Sequence, residues 1–188
     1  RQCREVIAQQ FPSVQGNPDF VACINERHFD RVKGYIDEAR ERDTRIVPLC
    51  PAGEEFSSRE EHKIALHLVV DPADDLACMQ EEIFGAILNV KTYQDLDQVI
   101  DYVNERDRPL ALYYFGRDRD EEARVIRETI SGGTSVNAIA MHVACDDLPF
   151  GGVGHSGMGH YRGRDGFRTF SHARAVYREG FVDMARLA

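Results

Sequence analysis

Residues 83–136 alternate between short apolar runs and longer amphipathic segments: IFGAILNV (83–90), DLDQVIDYVNE (95–105), LALYYF (110–115), DEEARVIRETI (120–130) and TSV (134–136). The short runs are typical of strands that are buried on both faces, whereas the longer segments place apolar residues at helical spacing. Strand, helix, strand, helix, strand is the order of right-handed crossover units, which build a parallel sheet. The sequence therefore predicts an α/β fold with a mostly parallel sheet and helices on both of its faces.

The residues before this stretch predict two helices and two further strands. A first helix ends at Pro12, and Asn25 is suited to cap a second one, whose apolar stripe runs from Phe29 to Ala39. Strands are expected at 45–49 and 63–70. The first residue already lies within an amphipathic pattern with no capping residue ahead of it, so we expect the chain to begin inside a longer protein.

The composition fits a cytoplasmic globular protein. Of 188 residues, 43% are hydrophobic, and 23 Lys and Arg against 32 Asp and Glu give a net charge of -9, which disfavours binding to a nucleic acid. Since no apolar run approaches the roughly 20 residues that span a bilayer, a membrane is not an expected partner either. Five widely spaced cysteines, an odd number, predict reduced thiols instead of a disulfide framework.

The stretch DLPFGGVGHSGMGH (147–160) has five glycines in nine residues, from Gly151 to Gly159, and predicts a shaped loop. Its GVGHSG part has the glycine spacing of a dinucleotide fingerprint, but it lacks the strand before and the helix after that such a fingerprint needs. A serine nucleophile elbow is also excluded, because Met158 follows Ser156 at the position of the second glycine. The loop is expected to enclose a ligand or another stretch of backbone.

Two acids, Glu81 and Glu82, stand immediately before a predicted buried strand, and Phe84 follows them. Adjacent acids at such a place most often belong to a solvated loop. A carboxylate at the end of a parallel strand, beside an aromatic ring, can also bind a ribose diol while the ring packs against a planar base. The residues alone leave both interpretations open.

The histidines and cysteines predict no metal site. His142, His155, His160 and His172 share no helical face, and no pair of carboxylates lies at ligand spacing from them, so no metal is expected. A hydrolase that uses Cys145 and a histidine stays possible on residue types alone, although nothing beside Cys145 in the sequence favours its thiolate.

Residues 170–177 combine β-favouring and charged side chains after the long glycine loop. They lie too far along the chain to form the next parallel strand, so we predict an edge or exchanged strand that needs a partner. Two parts are therefore expected, a globular part at 1–169 and a strand with its tail at 170–188.

Two of these motifs resemble the NAD(P)-dependent aldehyde dehydrogenases. Asp147–Gly159, continued by GFRTFSH (166–172), is similar to the C-terminal signature of that family, and EEIFG (81–85) is similar to its cofactor motif. Within the family, the chain resembles most the dimeric branch that includes coniferyl, fatty and aromatic aldehyde dehydrogenases.

The resemblance implies roles for three residues. Glu82 would hydrogen-bond the nicotinamide ribose of NAD or NADP, Phe84 would flank the nicotinamide, and Phe150 would line the aldehyde pocket. His28 and Arg31 match family positions near the ribose only weakly, and a plain exposed helix face is the alternative for both.

The catalytic residues of the family have no counterpart in this chain. In the family, the nucleophile lies in a Gly-Gln-x-Cys run, the general base lies in Glu-Leu-Gly-Gly, and an oxyanion-stabilising Asn lies further upstream. The present sequence contains none of the three. The resemblance implies the C-terminal part of an enzyme's catalytic domain, inactive by itself. The parent enzyme would oxidise coniferyl or a similar aromatic or long-chain aldehyde to its acid through a cysteine thiohemiacetal and thioester.

Two further expectations concern assembly. In the family, the strand that matches residues 170–177 joins an oligomerisation sheet and lies against a neighbouring subunit, which implies a homodimer. The missing nucleophile supports an alternative function, a non-catalytic assembly module of the same fold.

Overall fold

Helix α1 (Gln2–Gln10) and helix α2 (Glu26–Glu41) begin the chain in the computed structural model, which describes residues 2–51 and 53–181. The chain divides into two compact units, Arg1–Thr92 and Tyr93–Ala188. As predicted, Asn25 caps α2, and its side-chain oxygen accepts a hydrogen bond from the backbone N–H of His28 at 2.9 Å.

The first unit places a small sheet against α2. Its elements are β1 (Arg45–Pro48), β2 (Ser57–Ser58), β3 (Lys63–Ile64), β4 (His67–Val70), α3 (Ala77–Gln80) and β5 (Ile87–Val90). In the order β1-β4-β5, β1 is antiparallel to β4 and β5 is parallel to it, while β2 and β3 form a separate antiparallel pair. The predicted apolar stripe of α2 is buried in the same core as Val69 of β4 and Leu76. Full burial of each large apolar side chain there contributes roughly 1.5–3 kcal/mol.

The second unit contains one crossover. Helix α4 (Leu96–Asn104), strand β6 (Ala111–Tyr114), helix α5 (Arg119–Glu128) and strand β7 (Gly133–Val136) follow one another, and β6 pairs with β7 in parallel. Asp95 caps α4 and Asp118 caps α5, each through its carboxylate. Two short helices, α6 (Met141–Ala144) and α7 (Gly163–Thr169), follow, with a 3-10 turn at Gly154–Ser156 between them.

The predicted α/β fold class is confirmed, but the strands are shorter and more mixed in direction than expected. The run 63–70 forms two strands because residues 65 and 66 bond other parts of the chain: the N–H of Ala65 donates to the Phe56 carbonyl, and the Leu66 carbonyl accepts from Leu49, both at 2.8 Å. The run 83–90 is a strand only from Ile87 onward.

The predicted strand at residues 170–177 does not form. Residues 172–180 have no regular backbone structure, and every side chain from Phe167 to Phe181 is exposed. A strand requires a partner for its N–H and C=O groups, and residues 172–180 have no ladder partner among the described residues. The boundary at residue 170 and the assembly role of this segment stay predictions.

Candidate functional site

The segment Glu81–Gly85 connects α3 to β5 in the first unit, and Arg31 of α2 holds its backbone. The Nη1 atom of Arg31 donates to the Glu82 carbonyl at 3.0 Å, and its Nη2 atom donates to the Ile83 carbonyl at 2.5 Å. A guanidinium is a planar fork of donors, which suits two neighbouring acceptors. One side chain thus fixes two successive carbonyls of the motif.

Tyr35, one turn further along α2, connects Arg31 to Glu81. Its hydroxyl accepts a hydrogen bond from Nη1 of Arg31 and donates one to Oε2 of Glu81, both at 2.6 Å, and its ring centroid lies 5.2 Å from the guanidinium carbon. Burial, and next the hydrogen bond to Glu81, raise the pKa of Tyr35, so the hydroxyl stays protonated and can donate. The carboxylate of Glu81 is therefore committed to a contact within the protein.

Glu82 differs from its neighbour. Its side chain is exposed, and its carboxylate has no hydrogen-bond or ion-pair partner among the described residues, although its main-chain carbonyl is held by Arg31. The two oxygens of a carboxylate can accept from two neighbouring hydroxyls. The position thus combines a fixed backbone with an acceptor that is available to a ligand.

Phe84 has a left-handed backbone, with φ at 45°, and its side chain is 72% exposed. A non-glycine residue in this region costs about 1–3 kcal/mol, and such residues concentrate at ligand sites. The two hydrogen bonds from Arg31 to neighbouring carbonyls, at roughly 1.5–3 kcal/mol each for a charged donor, are sufficient to offset that cost. The ring borders a cleft of about 370 Å³ together with Phe20 and Cys23.

Gly85 lets this segment approach α2 closely. A Cβ atom there would lie 3.1 Å from Cγ1 of Val32 and still closer to its Cγ2, and Val32 is fully buried. The side chain of Val32 cannot move away in a packed core. Packing against Val32 therefore requires a glycine at position 85, whether or not the motif binds a ligand.

The exposed-face alternative is wrong for Arg31, which is half-buried and bonded as described above. His28 is also half-buried, and its Nδ1 atom lies 3.3 Å from Nη2 of Arg31. The sequence held no signal for the role of Arg31, because its partners are main-chain carbonyls 51 and 52 residues away.

In the second unit, the glycine stretch forms the predicted shaped loop. Phe150 and Tyr161 exchange two backbone hydrogen bonds, of 2.9 and 3.0 Å, and so close the loop at its base. Within it, the Ser156 hydroxyl accepts from the N–H of Val153 at 2.9 Å and donates to its carbonyl at 3.0 Å.

Two glycines at the start of the loop face backbone on its opposite arm. A Cβ atom at Gly151 would collide with the carbonyl of Gly159, and one at Gly152 would collide with the carbonyl of Ser156. The loop thus encloses its own backbone, which is one of the two possibilities that the sequence left open.

Phe150 lies half-buried in a group of rings. Its ring centroid is 5.7 Å from that of Tyr161 and 6.4 Å from that of His142, and the guanidinium carbon of Arg162 lies 5.7 Å from it. Aromatic pairs at such separations stabilise one another. These contacts fix one part of the ring, and the role of Phe150 in an aldehyde pocket stays a prediction.

The structure adds a buried polar pair that sequence reasoning missed. The hydroxyl of Ser135 lies 2.8 Å from Nδ1 of His142 and accepts from the His142 backbone N–H at 3.1 Å, while Nε2 is buried without a hydrogen-bond partner in the described chain. The pair connects α6 to β7, and the His142 ring is the one that lies near Phe150. A Ser and a His seven residues apart have no spacing that indicates such a contact.

Three of the five cysteine thiols are disfavoured as reactive groups. Burial raises the pKa of the thiols of Cys23, Cys50 and Cys78, which disfavours their thiolate forms. Within residues 2–51 and 53–181, no three His, Cys, Asp or Glu side chains are grouped so as to bind a metal ion. No helix in these ranges is long and apolar enough to cross a membrane.

The model of the aldehyde dehydrogenase family matches residues 7–176. The chain belongs to this family. Among its curated relatives, a probable coniferyl aldehyde dehydrogenase of Caulobacter vibrioides is 49% identical over 98% of the chain, and the coniferyl aldehyde dehydrogenase of Pseudomonas sp. strain HR199 is 47% identical over 97% of it. The chain spans 38% of the length of each.

Solved aldehyde dehydrogenase structures share the fold. The substrate-bound AldH of Staphylococcus aureus is 35% identical, with a TM-score of 0.80 over 95% of this chain and 38% of that one. An aldehyde dehydrogenase of Mycobacterium tuberculosis in complex with NAD+ is 26% identical, with a TM-score of 0.68 over 80% of this chain and 30% of that one.

Proposed function

We propose that this chain is part of an NAD(P)-dependent aldehyde dehydrogenase that oxidises coniferyl aldehyde, or a similar aromatic or long-chain aldehyde, to its carboxylic acid. The observation that carries the proposal is the EEIFG segment on its fixed backbone. Its Glu82 carboxylate is exposed and has no partner in the described part of the chain, and Phe84, two residues on, is exposed and left-handed. The names of the coniferyl aldehyde dehydrogenase relatives support the substrate class.

The residues present fit a nicotinamide dinucleotide. Glu82 would accept hydrogen bonds from the hydroxyls of the nicotinamide ribose, and the exposed ring of Phe84 would cover one face of the planar nicotinamide. When bound, the nicotinamide would accept a hydride from the substrate carbon. The described chain would contribute these contacts, and Phe150 would contribute to the wall of the aldehyde pocket.

The chemical step belongs to residues outside this chain. The reaction would proceed through a thiohemiacetal and a thioester on a cysteine nucleophile, followed by attack of water that a carboxylate activates. Burial raises the pKa of the Cys23, Cys50 and Cys78 thiols, which supports the expectation that none of these three is the nucleophile. We propose the cytoplasm as its location.

The test uses the full-length protein that contains this chain. Formation of the reduced nicotinamide cofactor is measured by its absorbance. Wild type should oxidise coniferyl aldehyde with NAD or NADP. Glu82→Gln should weaken cofactor binding about tenfold, since a hydrogen bond to a charged acceptor contributes roughly 1.5–3 kcal/mol. Glu60→Gln, at another exposed acid of the first unit, should leave binding unchanged. A full-length protein that neither binds nor reduces either nucleotide with aldehydes would favour the assembly module.

We also propose a homodimer whose contact includes the segment after residue 169. The exposure of Phe170 (84%), Val176 (65%) and Tyr177 (75%) supports it, because large apolar side chains exposed within one short segment favour an interaction site. Truncation of the full-length protein before residue 170 should give monomer or aggregate in sedimentation, whereas truncation after residue 181 serves as the control. A soluble dimer that lacks residues 170–188 would contradict the proposal.

A further inference from the structure

We infer that Arg31, Tyr35 and Glu81 form a positioning device that sets the direction of Glu82 and the backbone of Phe84, without touching the cofactor themselves. The inference rests on the proposed function for the roles of Glu82 and Phe84. Its structural half, a side-chain clamp on the backbone of residues 81–84, stands on the geometry of the first unit alone.

The donors of Arg31 are directed into the protein. Nη1 serves both the Tyr35 hydroxyl and the Glu82 carbonyl, Nη2 serves the Ile83 carbonyl and lies near His28, and Nε is buried with no hydrogen-bond partner in the described chain. The two terminal nitrogens of this guanidinium are thus occupied by protein groups. Arg31 is therefore suited to hold the motif and poorly suited to bind a ligand directly.

Fixing two successive carbonyls fixes the peptide planes on either side of residue 83. A peptide group is a rigid plane, so fixing these two planes sets φ and ψ of Ile83 and also constrains ψ of Glu82 and φ of Phe84. Phe84 has a φ of 45°, which an aromatic residue rarely adopts, and the side-chain direction of Glu82 depends on its backbone. The clamp thus acts on the two side chains to which the cofactor contacts are assigned.

Tyr35 and Glu81 make the device a chain of bonds instead of a single contact. Tyr35 accepts from Arg31 and donates to Glu81, so the Glu81 side chain is fixed at the start of the segment while Arg31 fixes its middle. Tyr35 is only 5% exposed and belongs to the hydrophobic core that packs against the sheet, so its hydroxyl has little freedom to find other partners. Hydrogen bonds in such a chain strengthen one another.

The clamp can be tested without cofactor by backbone hydrogen exchange of the full-length protein. Arg31→Lys keeps the charge but loses the fork, and Tyr35→Phe removes only the hydroxyl. Both should speed exchange in the peptide that covers residues 81–86. The matched control is Arg42→Lys at the end of the same helix, where the side chain makes an exposed ion pair with Asp75. Unchanged exchange in both variants would overturn the clamp.

The functional half is tested by cofactor titration and steady-state kinetics of the same variants. Arg31→Lys and Tyr35→Phe should raise the KM for the nicotinamide cofactor roughly tenfold and leave the KM for aldehyde unchanged, because misplacement of a contact by a fraction of an ångström has effects of this order. In a Glu82→Gln background, Arg31→Lys should add less than threefold.

The outcomes separate the two proposals. Faster exchange with normal cofactor affinity, or full additivity with Glu82→Gln, would overturn the positioning role while leaving the dehydrogenase function intact. Wild-type protein that binds neither NAD nor NADP would instead contradict the proposed function and remove the cofactor half of this inference, with the clamp still decided by exchange.

Discussion

At the scale of single residues, two glycines of this chain differ in whether the fold leaves room for a side chain. Gly132 lies between two backbone segments, and a Cβ atom would meet the carbonyl of Gly151 on one side and that of Leu110, at 2.6 Å, on the other. Gly34 lies within α2 with nothing near the position of a Cβ atom. The first is required by packing, whereas the second only adds freedom to the unfolded chain.

Replacement of each glycine by alanine should therefore change stability in opposite directions. Gly132→Ala should lower the free energy of unfolding by about 1–3 kcal/mol, because neither carbonyl can move without moving a strand or the glycine loop. Gly34→Ala should raise it by about 0.5–1 kcal/mol through helix propensity. Denaturant titration of both variants measures the difference, and equal effects would contradict the close approach.

At the scale of elements, the caps of the longer helices are sequence-local and testable. Asn25→Ala removes the oxygen that accepts from the His28 N–H, and should lower the free energy of unfolding by about 1 kcal/mol. Asn25→Asp keeps an acceptor at the same place, so it is the control and should stay within a few tenths of a kcal/mol of wild type. Thermal or denaturant unfolding that ranks the two variants equally would exclude a capping role.

The same local signals explain which elements could be predicted. The cap at Asn25 and the stripe from Phe29 to Ala39 depend on neighbours within one helix, so sequence spacing was sufficient for both. The split of the run 63–70 depends on partners such as Phe56 and Leu49, which spacing does not reveal. Residues 170–177 have no ladder partner among the described residues for the same reason, since β-favouring side chains do not supply one, and pairing with another subunit stays a prediction.

The candidate site divides in the same way. The sequence motif identified Glu82 and Phe84 as candidates, but not the left-handed backbone of Phe84, because nothing about phenylalanine favours that conformation. The clamp by Arg31 and the pair of Ser135 with His142 join residues through the fold alone. Tertiary contacts of this kind follow from packing and have no local pattern.

At the scale of the whole molecule, the stability of the chain should depend on pH through a buried histidine. His67 has no exposed surface, and its Nδ1 atom lies 2.7 Å from the Ala65 carbonyl. Burial lowers the pKa of His67 below its usual 6.5, the hydrogen bond to Ala65 opposes this, and Arg40 adds to the lowering. The imidazole is therefore kept neutral in the folded state, whereas in the unfolded chain it takes up a proton below about pH 6.5.

The contribution of His67 to stability is fully present above pH 6.5 and is lost progressively as the pH falls below that value towards the lowered pKa of the folded state. His67→Gln should remove this dependence, so the wild-type advantage over the variant should shrink between pH 7 and pH 5. His172→Gln, in the exposed segment, is the control and should leave the pH profile unchanged. Parallel profiles for wild type and His67→Gln would contradict the burial argument.

The exposed segment after α7 has a consequence for proteolysis. Proteases bind their substrates in an extended conformation. The peptide bonds after Arg174 and Arg178 lie in backbone without regular structure, whereas those after Arg31 and Arg40 lie within α2. Trypsin should therefore cut this chain first near its C-terminal end. If the segment pairs with a neighbouring subunit, the same bonds become protected, so the rate of tryptic cleavage at these two arginines reports the fraction of chains that are assembled.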